Sequence, residues 1–86
     1  MTKKETTTGY HIEYWDNGNK KMERHSKDGK FHGVYTGWYE DGTMDYQHHW
    51  ENGIQVGNGT LWYADGTKEW EGQFKDGLLV KSGQDY

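Results

Sequence analysis

Asn-Gly and Asp-Gly dipeptides divide the chain into short segments in which apolar and polar residues alternate. The six dipeptides are Asn17-Gly18, Asp28-Gly29, Asp41-Gly42, Asn52-Gly53, Asp65-Gly66 and Asp76-Gly77. Their spacings alternate between 11 and 13 residues, so two turns recur every 24 residues. This period defines three repeat units, which are Tyr10–Gly33, Val34–Gly57 and Asn58–Lys81.

Each unit carries the same residue types at the same places. The fifth and sixth residues are aromatic, and the ninth and twentieth are Gly. The fifth residues of the three units are Tyr14, Trp38 and Trp62. A fixed period of this length is typical of supersecondary units that stack on their neighbours.

The dipeptides also predict the secondary structure. Asn, Asp and Gly tolerate the positive φ that two-residue hairpin turns require. No segment shows a helical period. We therefore expect an all-β fold, a single-layer antiparallel meander of about seven strands. The predicted strands are Tyr10–Asp16, Asn19–Lys27, Lys30–Glu40, Thr43–Glu51, Ile54–Ala64, Thr67–Lys75 and Leu78–Lys81. Residues 1–9 and 82–86 are predicted to be disordered tails.

Two-residue turns would place most of the large rings on one face of the sheet. The predicted partners are Met22 with Tyr35, Ser26 with Phe31, Tyr39 with Met44, Gly37 with Tyr46, Gly33 with Trp50, Tyr46 with Gly59, Met44 with Leu61, Leu61 with Trp70, and Gly57 with Phe74. Strand glycines then lie beside large rings and leave room for them. We interpret this face as the core, with an exposed aromatic binding surface as the alternative.

The opposite face is predicted to carry the fifth-position rings, with carboxylates on the strands between them. Exposed rings among acids suit the anchoring of Arg, Lys or apolar groups of a partner. Structural packing of amphipathic rings is the alternative. The candidate partner-binding residues are Trp38, Trp62, Tyr14, Asp45, Glu69 and Glu71.

The segment from Val56 to Gly77 reads V-G-N-G-T-L-W-Y-A-D-G-T-K-E-W-E-G-Q-F-K-D-G. It resembles the MORN repeat, in which an apolar-Gly-x-Gly strand and an aromatic pair precede an Asp-Gly turn and a Tyr-x-Gly-x-Phe strand. Trp70 stands where Tyr is usual, and His48 stands where the second unit should have Gly. The segment from Phe31 to Gly42, F-H-G-V-Y-T-G-W-Y-E-D-G, is similar to a bacterial variant labelled an antitoxin repeat.

The resemblance covers residues 10–81 and concerns residues that shape the fold. It implies a single-layer β-meander and, for the family, protein interaction, with lipid contact debated. It assigns no ligand-binding residue in this chain, because the shared residues are structural.

Composition and charge narrow the choice of partner. The chain contains 5 Trp, 7 Tyr, 2 Phe and 13 Gly, but no Cys, so disulfides and thiolate chemistry are excluded. The net charge is −4, and no basic stripe of the kind that binds a phosphate backbone is present. The mean hydropathy of −1.31 argues against a membrane span. No apolar segment follows Lys3 and Lys4, so we expect a cytoplasmic protein without a signal peptide.

The residues do not form a recognisable catalytic or metal-binding set. Neither Ser26 nor Ser82 lies in a nucleophile-elbow context, and the acids flank turns, so we expect no enzyme activity. His25 is predicted to lie opposite His32, whereas His48 and His49 point to opposite faces. Two facing histidines fall short of the usual three or four ligands, so no metal or other cofactor is expected.

These observations favour function by binding. The leading hypothesis is a small acidic module that inhibits or scaffolds a partner protein, as an antitoxin or a phage-encoded counter-defence inhibitor would. The alternative is a protein that binds a nucleotide or saccharide on the exposed rings. Because one sheet cannot bury both of its faces, a homodimer is a further option. Nucleic acid and membranes are not expected partners.

Overall fold

The computed structural model describes residues 8–82, which form one open antiparallel sheet. The strands are β1 (Thr8–Tyr14), β2 (Lys20–Lys27), β3 (Lys30–Phe31), β4 (Gly33–Trp38), β5 (Met44–Glu51), β6 (Ile54–Trp62), β7 (Lys68–Lys75) and β8 (Leu78–Ser82). They follow the order β1-β2-β4-β5-β6-β7-β8, with the short β3 also paired to β2. The predicted all-β meander is confirmed. Within residues 8–82 no helix has the length and apolarity that crossing a membrane requires.

The boundaries of the sheet differ slightly from those of the repeat. β1 begins at Thr8 and β8 ends at Ser82, so the strands extend beyond the predicted span of residues 10–81 at both ends. The third predicted strand, Lys30–Glu40, is divided at His32 into β3 and β4. Most of the predicted tails, residues 1–7 and 83–86, lies outside the described residues.

The six turns belong to two alternating classes. Both turn residues have positive φ at Asp28-Gly29, Asn52-Gly53 and Asp76-Gly77, as the predicted two-residue turns require. In the other three turns only the Gly has positive φ, at Gly18, Gly42 and Gly66. There the loop has three residues; for example, Gly42 N–H donates to the Tyr39 carbonyl at 2.9 Å, and Tyr39 N–H donates to the Thr43 carbonyl at 2.7 Å. The prediction of two-residue turns throughout is therefore wrong for every second turn.

A bulge beside each three-residue turn restores the predicted register. Trp38 pairs with Met44, but the next pair is Gly37 with Tyr46, so Asp45 is the extra residue. Trp62 pairs with Lys68 and Leu61 with Trp70, which makes Glu69 the extra residue one unit later. The bulge cancels the additional loop residue. Four predicted pairs beyond these bulges are confirmed, namely Gly37 with Tyr46, Gly33 with Trp50, Leu61 with Trp70 and Gly57 with Phe74.

The predicted pair of Ser26 with Phe31 is also confirmed, but four other predicted pairs are wrong. Met22 pairs with Gly37 instead of Tyr35, and Tyr46 pairs with Leu61 instead of Gly59, because the register shifts within these strand pairs. Both errors amount to two residues, and a shift of two leaves every side chain on the predicted face. The error at Met44 is different. Met44 pairs with Trp38, not with Tyr39 or Leu61, so it moves to the opposite face.

Large rings pack together on the predicted core face, here called the aromatic face. Its central cluster consists of Phe31, Tyr35, Tyr46, His48 and Trp50, with neighbouring ring centroids 5.0–5.9 Å apart. None of these rings is buried, and no hydrophobic side chain in the described part of the chain is. The sheet measures only 9 Å in its thinnest direction, so residues 8–82 form no second layer over this face. The expected core is therefore a half-exposed aromatic surface.

Strand glycines serve two purposes in this sheet. A Cβ at Gly37 would overlap the Tyr46 ring, as predicted. A Cβ at Gly33 would instead approach His25 at 3.6 Å, and φ at Gly33 is +107°. Gly33 is thus needed for the backbone conformation at a register shift, and not to make room for Trp50.

Candidate functional site

The fifth-position rings lie along one edge of the face opposite the aromatic face. Tyr14, Trp38 and Trp62 are the last residues of β1, β4 and β6. Each of these strands ends beside a three-residue turn. We call this row the tryptophan strip. Tyr14 is 56% exposed, whereas Trp38 and Trp62 are half-buried. The strip therefore consists of two half-buried rings and one exposed ring.

Sixth-position rings hold the strip in place from the adjoining unit. Trp15 Nε1 donates a hydrogen bond to the Trp38 carbonyl at 3.1 Å. One unit later the Tyr39 hydroxyl donates to the Trp62 carbonyl at 2.7 Å. Burial raises the pKa of Tyr39, and the nearby Asp45 carboxylate raises it further, so the hydroxyl stays protonated as the donor. These contacts tie each strand end to the preceding turn.

Asx hydrogen bonds close the turns that flank the strip. Asp41 Oδ1 accepts from Thr43 N at 2.9 Å and from Thr43 Oγ1 at 2.7 Å. Asp65 and Thr67 repeat both bonds at the same distances. The backbone N–H and the hydroxyl of the Thr lower the pKa of each Asp. Each Asp is therefore ionised at neutral pH, and its hydrogen bonds to Thr stabilise the turn beside the strip.

Lysines of the chain itself lie beside the rings, which the sequence reasoning missed. Lys20 Nζ lies 5.4 Å from the centroid of the Trp38 ring and 3.7 Å from Glu23 Oε1. Lys68 is paired with Trp62 and places its Nζ 3.5 Å from Glu71 Oε1. Lys20 and Lys68 are 48 residues apart, two full periods, and this spacing is the signal that could have found them.

The three predicted carboxylates consequently differ in character. Glu71 is compensated by Lys68. Asp45 is a half-buried bulge residue whose carboxylate interacts with the Tyr39 hydroxyl. Glu69, the bulge residue of the next unit, is exposed and has no ion-pair partner among residues 8–82. Of the three predicted carboxylates, Asp45 and Glu69 are the two that add uncompensated negative charge to the strip.

The histidines lie where the register predicts but do not gather into a metal site. His32 N–H donates to the His25 carbonyl at 3.0 Å, which confirms that the two residues are opposite. His48 stacks on Tyr35 at 5.0 Å and accepts a hydrogen bond from Trp50 Nε1 at 2.8 Å. Among the described residues, no group of three His, Cys, Asp or Glu side chains is placed to hold a metal ion.

Comparison with known proteins identifies no relative. No protein-family model matches the chain, and neither the curated proteins nor the solved structures contain a significant match.

Proposed function

We propose that this sheet is a protein-binding module and that the tryptophan strip, with Asp45, Glu69 and Glu71, is its docking edge. The observation that carries the proposal is the anchoring of Trp38 and Trp62. Each is half-buried, and its carbonyl is held by a ring of the preceding unit. Half-buried rings on a backbone held by hydrogen bonds lose less conformational freedom when a partner covers them than rings on a free segment would.

The shape of the molecule supports the same conclusion. A sheet 9 Å thick, in which no described hydrophobic side chain is buried, offers both faces and both edges to other molecules. Binding would cover apolar surface that folding leaves exposed. A module of this kind acts by binding to the surface of a partner protein, as an inhibitor or a scaffold does. An antitoxin or a phage-encoded blocker of a host defence protein would fit this description.

The charges at the strip indicate the kind of partner surface. Asp45 and Glu69 add negative charge, and Glu69 has no described ion-pair partner to offset it. A surface with apolar side chains and one or more Arg or Lys residues would complement this edge. Binding should then weaken as the salt concentration rises, because exposed charge pairs are screened.

The test of this proposal combines partner capture with a double substitution. The chain is immobilised in host lysate, the captured protein is identified, and its affinity is measured with both proteins purified. Trp38→Ala with Trp62→Ala should weaken binding by at least about tenfold, which corresponds to about 1.4 kcal/mol. The control is Leu78→Ala, because Leu78 is an apolar residue of the edge strand β8 that is 69% exposed.

Each variant must keep the circular dichroism spectrum of the parent, so that a loss of binding reports on the docking edge. Equal affinity of the double variant and the parent would show that the partner binds elsewhere. Failure to capture any protein would contradict the proposed function itself. The mass of the free chain, measured in parallel, shows whether a second copy is the partner.

One contact favours a second candidate function, the binding of a nucleotide or saccharide. Lys20 Nζ lies close to the Trp38 ring, at 5.4 Å from its centroid, so a stacking surface and a cation are adjacent. Base stacking on aromatic rings beside a basic group is a common mode of nucleotide binding. Calorimetric titration with mononucleotides and simple sugars separates this function from protein binding.

A further inference from the structure

An open cavity of about 550 Å³ lies where β1, β2 and the junction of β3 with β4 meet. Three basic side chains line it, those of His25, Lys27 and His32. The other described lining residues are Thr8, Ser26, Gly33 and Val34, and none of the residues from 8–82 that line the cavity carries a carboxylate. A basic lining without acids stands out in a chain of net charge −4.

A register shift creates this cavity. Ser26 pairs with Phe31, but further along the same strand Glu23 pairs with Thr36, a shift of two residues. Gly33 lies within the shift and has a φ of +107°, which residues with a side chain rarely adopt. Because the backbone leaves the regular ladder there, space opens between the strands.

The same cavity recurs one repeat unit later with different chemistry. Adding 24 to the number of each residue that lines the first cavity gives a residue that lines a second one, of about 390 Å³. In the second cavity Glu51 replaces Lys27 and Val56 replaces His32. The cavity is therefore a property of the repeat. Both cavities contain histidines, but the first has a lysine where the second has a glutamate.

His32, which lines both cavities, also carries a polar atom without a partner. Its Nδ1 is buried and has no hydrogen-bond partner in the described part of the chain. A buried polar atom without a partner lowers stability, and such atoms are usually satisfied by ordered water or a bound group. Because Nδ1 is shielded from solvent, a ligand in the open cavity would contact His32 through its other ring nitrogen.

We propose that this first-unit cavity binds the phosphoryl group of a small soluble ligand. A phosphoryl group offers about two negative charges and three acceptor oxygens. The Lys27 ammonium and a ring nitrogen of each of His25 and His32 can donate hydrogen bonds to such a group. A carboxylate has one negative charge and two oxygens, so it would bind to these three side chains more weakly than a phosphoryl group. The site is separate from the tryptophan strip and does not depend on the function proposed for it.

The test is a nuclear magnetic resonance titration of the whole chain with inorganic phosphate, with ionic strength held constant by sodium chloride. Saturable shifts are expected at His25, Lys27, His32 and Gly33. Lys27→Glu gives the first cavity the acid that the second one has in Glu51, and it should weaken phosphate binding by at least about tenfold. Lys27→Gln, which removes the cation without adding an acid, should weaken it less.

The matched control is Lys75→Glu. Lys75 occupies the same repeat position as Lys27 in the third unit, and its substitution changes the net charge equally. It is exposed, and it lines neither cavity. The control should therefore bind phosphate almost as the parent does.

Three results would overturn the proposal. Shifts spread over all the lysines, or equal losses in the two Glu variants, would show that phosphate responds only to overall charge. Acetate binding as tightly as phosphate would remove the preference for a phosphoryl group. Vesicles that contain phosphatidylserine present phosphoryl groups on a surface, and sedimentation with them that Lys27→Glu abolishes would assign the site to lipid instead of a soluble ligand.

Discussion

The ring of Tyr46 lies directly over Gly37 on the neighbouring strand, in the space that a side chain at Gly37 would occupy. Tyr46 also lies 5.9 Å from the Tyr35 ring and 5.5 Å from the His48 ring. A glycine of β4 thus lets one ring pack against the backbone and join the aromatic cluster. A single pair of residues links the high glycine content to the high aromatic content.

Gly37→Ala should lower the free energy of unfolding by about 1–3 kcal/mol, because the added methyl group would overlap the Tyr46 ring. Urea denaturation followed by Trp fluorescence measures the change. The control is the same substitution in a Tyr46→Ala background, where the ring is absent and the cost should be much smaller. Equal costs in the two backgrounds would show that the ring is not the reason for the glycine.

His48 should make the stability of the sheet depend on pH. Burial lowers the pKa of His48, and the neighbouring His49 lowers it further. An unfolded histidine has a pKa near 6.5, so the unfolded chain takes up this proton first as the pH falls. The contribution of His48 is therefore complete above about pH 6.5 and is lost as the pH falls through its lower folded value.

Thermal denaturation between pH 8 and pH 5 checks this expectation. The melting temperature should fall below about pH 6.5 in the parent chain and less steeply in His48→Gln. His11→Gln is the control, because His11 is an exposed histidine that lies outside the aromatic cluster. A melting temperature that does not change over this range would contradict the inferred burial of His48.

Asp65 should stabilise its turn only while it is ionised. Its Oδ1 accepts from both the backbone N–H and the hydroxyl of Thr67, and these bonds lower the Asp65 pKa. An unfolded Asp has a pKa near 3.9, so the stabilisation is present above that pH and is lost as the pH falls through the lower folded value. Asp65→Ala should therefore lower the melting temperature at pH 7, and the difference should shrink under strong acid.

Asp65→Asn is the matched variant, because the first unit already uses an amide at this place. Asn17 Oδ1 accepts from Asn19 N at 2.9 Å, as Asp65 does from Thr67. The Asn variant should keep most of the stability at pH 7 and lose its acid sensitivity at this turn. If it were as unstable as the Ala variant, charge and not the Asx bond would be the stabilising factor.

The hydroxyl of Tyr39 should matter more than the hydroxyl at the same position of the next unit. Tyr39 donates to the Trp62 carbonyl at 2.7 Å, and removing it would leave that half-buried carbonyl without its bond. Tyr63 is 49% exposed, and its hydroxyl makes no hydrogen bond to residues 8–82. Tyr39→Phe should lower the melting temperature, whereas Tyr63→Phe should leave it nearly unchanged. Equal effects would argue against an anchor at Trp62.

Several features of the candidate site could be predicted before any coordinates were known. The fifth-position rings fall at the ends of alternate strands because their period matches that of the turns. The register of Gly37 with Tyr46 is correct although the turn between them was assigned the wrong length. The bulge at Asp45 compensates for the longer loop, so two local errors cancel. Lys20 was not predicted beside Trp38, because its face depends on the corresponding bulge in β2, where Tyr14 pairs with Lys20 and Glu13 with Met22.

The sequence alone determined the repeat, the six turns, the meander and the face on which most residues lie, because all of these follow from local turn chemistry and a period of two along each strand. Only the tertiary structure decided that the aromatic face stays half-exposed, since burial depends on whether a second layer exists. It also decided that a cavity opens at Gly33, because the cavity depends on the register shift between the pairing of β2 with β3 and its pairing with β4.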